Sequence, residues 1–115
     1  MQTIIYHNPR CRKSREALAL LQENTQQLTV VEYLKNAFTE DELSTIIQKL
    51  NIQPIELVRK GESIWKEKFK GKDMNNKEIL KAMIQNPKLI ERPIVVSQKG
   101  AVVARPAEKL LELLI

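Results

Sequence analysis

The sequence predicts an α/β fold, a small mixed four-stranded sheet flanked by helices, with a helical insertion between its two halves. Three observations predict it. A strand, helix, strand pattern fills the first 36 residues, residues 37–91 show helical periodicity, and the chain returns to two short strands and a closing helix over residues 92–115. The order βαβ, helices, ββα describes one domain with core segments 1–36 and 92–115 and an insertion 37–91.

Each element has a local reason. Thr3 to Tyr6 is a short apolar, β-branched run, which reads as a strand. Ser14, Ala17, Leu18 and Leu21 then fall at i, i+3, i+4 and i+7, so one helical face is small and apolar while Arg, Glu and Gln lie opposite, and the helix ends near Asn24. Leu28 to Leu34, with Val30, Val31 and Tyr33, reads as a buried strand. Two strands joined by a helix within so short a span predict a right-handed parallel unit.

The middle is helical. Thr39 with Glu42 makes a capping box ahead of Leu43, Ile46, Ile47 and Leu50, and Asn51 and Pro54 end that helix. A short apolar turn runs from Pro54 to Val58. Ile64, Trp65 and Phe69 suit one further turn or two, and Asn75 with Glu78 caps a helix carrying Ile79, Leu80, Met83 and Ile84 until Asn86-Pro87 closes it. Ile94 to Val96, a Gln98-Lys99-Gly100 turn and Ala101 to Ala104 then read as a hairpin. Pro106 suits a first helical position, and Leu110, Leu111 and Leu114 give the closing helix its core face.

With 115 residues the chain is large enough for one core without staples, and 43% hydrophobic content places it among globular chains. One cysteine excludes an intrachain disulfide or a cysteine-rich zinc site and suits a reducing compartment. No leader pattern and no apolar run near 20 residues is present, so the expectation is a cytoplasmic protein without membrane contact. The net charge of +5 suggests an anionic partner. Aromatic content of 4% leaves few platforms for stacking bases, which weighs against nucleic acid.

The stretch His7-Asn8-Pro9-Arg10-Cys11-Arg12-Lys13-Ser14-Arg15 holds the only cysteine, the only histidine and four cations, between a strand and a helix. Unpaired N–H groups at a helix start and nearby cations favour a thiolate, and the same donors can hold an oxyanion. A lone cysteine is commonly a small buried hydrophobe, but the polar, basic surroundings argue against burial here. His7 could lower the thiol pKa or orient the site. Ser14, in the first helical turn, could donate its hydroxyl to the thiolate or belong to the helix cap. Arg59, Arg92 and Arg105 each stand at the end of an apolar segment or beside a proline, and the planar guanidinium fork suits a tetrahedral oxyanion. Each taken alone is better explained as a solvated surface charge. A Cys-x-x-Cys redox motif would need sulfur where Ser14 stands, and a phosphatase-like loop would need arginine where Ala17 stands.

The ordered motifs Tyr6-His7-Asn8-Pro9-x-Cys11-x-x-Ser14-Arg15, Tyr33-Leu34, Leu57-Val58-Arg59-Lys60, Asn86-Pro87, Glu91-Arg92-Pro93-Ile94-Val95-Val96 and Arg105-Pro106 resemble the glutaredoxin-coupled arsenate reductase family across essentially the whole chain. The resemblance implies a thioredoxin-like fold with a helical insertion, and Pro93 matches a proline that is cis in such folds. It implies Cys11 as the nucleophile on arsenate, His7 beside the thiol helping to lower its pKa, and Arg59, Arg92 and Arg105 as oxyanion ligands. It further implies glutathione as co-substrate, glutaredoxin as the regenerating partner and no tightly bound cofactor or metal. A monomer is the expectation. Two alternatives share the fold: a redox-sensing or partner-binding regulator of the RNA-polymerase-binding stress type, and a glutathione-dependent thiol oxidoreductase. Ser14 in place of a second cysteine counts against the regulator, and the three arginines count for the reductase.

Overall fold

The sheet is built around β1 (Thr3–His7), which pairs in parallel with β2 (Leu28–Glu32) and antiparallel with β3 (Ile94–Ser97) in a computed structural model that describes residues 2–25 and 27–113. β4 (Gly100–Val103) pairs antiparallel with β3, so the strand order is β2-β1-β3-β4. This mixed four-stranded sheet with flanking helices is the thioredoxin-like arrangement. The peptide bonds Arg92-Pro93 and Arg105-Pro106 are cis.

The described residues divide into two compact units, 1–36 with 92–115, and 37–91. In the first, strand period and helix period meet. Thr3, Ile5 and His7 alternate onto the buried face of β1, and α1 (Arg12–Asn24) buries Ser14, Ala17 and Leu21. Ile5, Ala17 and Leu21 share a core with Val95, Ala104, Ala107, Leu110 and Leu113.

Two expectations are corrected in this unit. The Leu28 to Leu34 run is not a buried strand, because β2 lies at the sheet edge. Its residues are half-exposed, Val30 and Leu34 are open to solvent, and only Tyr33, past the strand end, is buried. The closing segment, Ala107–Leu113, is a 3-10 helix. Its three-residue turn puts Ala107, Leu110 and Leu113 on one buried face and leaves Leu111 exposed, whereas an α-helical period would have buried Leu111. Leu114 lies outside the described residues.

The second unit consists of α2 (Glu40–Leu50), a 3-10 turn Pro54–Leu57, α3 (Ser63–Lys68), α4 (Asn76–Gln85) and a 3-10 turn Pro87–Leu89. Thr39 and Asn75 each accept from the N–H three residues on and receive the returning glutamate, Glu42 or Glu78, on their own N–H. Asn51 ends α2 in the left-handed region at φ 58°. α2 buries Leu43, Ile46 and Ile47, α4 buries Ile79, Ala82 and Met83, and the Trp65 and Phe69 rings stack with centroids 5.5 Å apart. Val58 bridges Ile90, flanked by Arg59 N–H to Leu89 O at 2.7 Å and Glu91 N–H to Leu57 O at 2.9 Å. Among the described residues no helix is long and apolar enough to cross a membrane.

Candidate active site

The β1–α1 loop turns tightly because Asn8 to Cys11 forms a turn closed by Cys11 N–H to Asn8 O at 3.0 Å, with Pro9 in the position that suits a fixed φ. Cys11 thereby becomes the N-cap residue of α1, extended at φ −95° and ψ 121°, and its side chain is partly exposed. It makes no conventional capping hydrogen bond, so the sulfur meets the first-turn N–H groups as oriented dipoles.

Burial acts to raise the Cys11 pKa. The backbone N–H of Ser14, the guanidinium of Arg92 through both an N–H and its charge, and the backbone N–H of Lys13 outweigh it, so the thiol titrates below its ordinary range. The cation that favours the thiolate is therefore distant in sequence. Of the local cations, Arg12 and Lys13 pair with Glu16 at 3.3 and 3.9 Å, and Arg15 donates to Pro9 O at 2.9 Å. The helix-start N–H groups expected from the sequence favour the thiolate, joined by Arg92 from far along the chain.

Sheet register brings Arg92 there. Tyr6 pairs with Ile94, so the chain enters β3 beside the end of β1 where the cysteine loop begins. Ile94 also pairs with Val103, which places Arg105 at the same end of the sheet, where it is exposed. Arg92 Nε is buried without a hydrogen-bond partner among the described residues, a donor that a bound oxyanion could satisfy. Arg59 belongs to the other unit, where its guanidinium meets Glu62 at 3.1 Å.

His7 and Ser14 meet for periodic reasons: both lie on the buried faces of their elements, and His7 Nδ1 is 2.6 Å from Ser14 Oγ. Ser14 Oγ also accepts the Asn8 N–H at 3.0 Å. The hydroxyl thus serves the loop and the ring, and it is the Ser14 backbone N–H that favours the thiolate, not the hydroxyl donation envisaged from sequence. Burial lowers the His7 pKa, Glu32 opposite it in the sheet raises it, Arg15 lowers it and a hydrogen bond to the Ser14 backbone raises it, with a net lowering. The lowering favours the neutral ring. The residue that sequence reasoning passed over is Asn8, buried and bonded to three parts of this loop; the Asn-Pro turn signal was its visible trace.

A mixed sheet of this order with one thiolate-favouring cysteine at the first helix start defines a thioredoxin-like protein that has a single cysteine in place of a Cys-x-x-Cys pair. The profile of the ArsC family matches residues 6–113, and the chain belongs to that family. An arsenate reductase of Haemophilus influenzae is 39% identical, covering 99% of this chain and all of the relative, and an uncharacterized Escherichia coli protein, YfgD, is 41% identical over 97% of this chain and 96% of its own length. The solved arsenate reductase from Vibrio cholerae is 40% identical and superposes with a TM-score of 0.93, covering 99% of this chain and 98% of that one.

Proposed function

We propose that the protein is an arsenate reductase that uses the Cys11 thiolate as nucleophile and glutathione with glutaredoxin as its source of electrons. The observation that carries the reading is the meeting at one sulfur of helix-start N–H groups and the Arg92 guanidinium, which favours a nucleophile and an oxyanion in the same place. Family membership and the relatives named arsenate reductase supply the substrate class.

In the proposed reaction Cys11 Sγ forms a bond to arsenic and an oxygen departs as water after protonation. A glutathione thiolate then attacks Cys11 Sγ: the S–S bond forms, the S–As bond breaks and its electron pair passes to arsenic, so arsenic(V) falls to arsenic(III) and leaves as arsenite, and the two sulfurs end joined as a mixed disulfide. Glutaredoxin exchanges the glutathione away and restores the thiol. Arg92 binds the oxyanion and stabilises the thiolate; the parts of Arg59 and Arg105 in oxyanion binding rest on the family. His7 and Ser14 hold the loop in register. Because Cys11 is the only cysteine in the sequence, the second thiol comes from another molecule.

Arsenite formation measured with arsenate, glutathione and glutaredoxin tests the reading. The wild-type chain is expected to turn over repeatedly and Cys11→Ser not at all. Equal arsenite from both would remove the proposal.

A further inference from the structure

Asn8 is a polar residue buried at the base of the loop, and its hydrogen bonds all run to groups that set where the sulfur sits. Its side-chain Oδ1 accepts the Arg10 N–H at 3.0 Å, its carbonyl accepts the Cys11 N–H at 3.0 Å, and its own N–H donates to Ser14 Oγ at 3.0 Å. The first bond makes an Asx turn, the second closes the turn over Pro9, and the third ties the start of the loop to the first turn of α1. The two ends of the Cys11 loop are thus joined through one residue.

We propose that Asn8 is a positioning residue for the Cys11 thiol, its carboxamide oxygen holding Arg10 so that Cys11 keeps the extended N-cap conformation that turns the sulfur toward the N–H groups of Lys13 and Ser14. The inference rests on the reading of Cys11 as an activated nucleophile and adds the residue that sets the activation. The two backbone bonds of Asn8 remain possible with alanine or serine in its place, so the side chain contributes one removable interaction. That makes a clean experiment possible. A serine hydroxyl can accept the same N–H, more weakly, in an equivalent turn, whereas alanine cannot.

The test is the rate of Cys11 alkylation by iodoacetamide against pH on the full chain, with thermal unfolding recorded for each variant. Asn8→Ala is expected to move the alkylation midpoint to higher pH and slow the reaction at neutral pH by about three- to tenfold, the size of one ordinary hydrogen bond. Asn8→Ser is expected to recover most of that loss. An unchanged midpoint in Asn8→Ala overturns the inference, even if Tm falls, because a loss of stability alone says nothing about where the sulfur sits. A serine variant no better than alanine overturns it too, since the acceptor would then not be the cause. If the wild-type midpoint itself lies at the ordinary thiol value of about 8.5, the nucleophile reading fails whatever the variants do.

Discussion

Burial lowers the His7 pKa from the ordinary histidine value, and the ring meets Ser14 Oγ at 2.6 Å. This has a consequence for stability. A folded-state pKa below the ordinary histidine value means that the unfolded chain binds more protons in the interval below about 6.5, so stability falls as pH drops through that interval toward the folded value. Denaturant midpoints from pH 8 to 5 are expected to show this loss in the wild type and less of it in His7→Asn, whose carboxamide can reach Ser14 without titrating. The same slope in both would assign the pH dependence elsewhere. For Cys11 the depressed pKa stabilises the fold above the unfolded thiol value, and that contribution fades as pH falls through the folded one. Arg92→Ala is expected to raise the alkylation midpoint. Arg92→Lys keeps the charge and should retain part of the lowered midpoint, while kcat/KM for arsenate falls by about tenfold or more through loss of the fork. A lysine variant with wild-type kcat/KM would show that charge alone suffices. Cys11 and Arg92 were both visible in the sequence, but their partnership was not, because it is made by the register of β1 and β3 across some 80 residues of chain. Two of the basic neighbours of Cys11, Arg12 and Lys13, pair with Glu16.

Helix starts were legible because they are local. A capping residue and its glutamate three positions on can be seen without knowing the fold, and both boxes form as written at Thr39 and Asn75. Thr39→Ala is expected to lower stability by about 1 kcal/mol in urea unfolding, since one helix-start donor then loses its protein acceptor. Whether a strand is central or at an edge is not local. The β-branched Leu28 to Glu32 run reads the same in either place, and only the pairing order puts it outside. In the closing segment three leucines fit an α-helical face, but the chain takes the tighter turn. Alanine substitution separates the two periods. Leu110→Ala should cost about 2–5 kcal/mol and Leu111→Ala less than about 0.5 kcal/mol. Comparable losses at both positions would restore the α-helical face.

At the scale of the whole molecule the governing fact is the presence of one sulfur nucleophile in the sequence. A two-electron reduction through a thiol oxidises sulfur, and a chain with a second cysteine can close an internal disulfide to clear the product. This chain cannot. In the proposed reaction the oxidised Cys11 therefore carries an external thiol, and with glutathione as donor that group has a defined mass. Arsenate with glutathione is expected to leave a glutathione adduct on Cys11 in intact-mass spectra, and glutaredoxin is expected to remove it and permit further turnovers. Cys11→Ser should show neither the adduct nor turnover. The exposed cations around the thiol, Arg10, Arg12, Lys13 and Arg15, are well placed to attract a donor carrying carboxylates, so adduct formation should slow as salt is raised past physiological strength. Multiple turnovers with thioredoxin alone and no glutathione would show that the outside thiol is a protein's, and the glutathione step of the mechanism would then be wrong even with Cys11 as nucleophile.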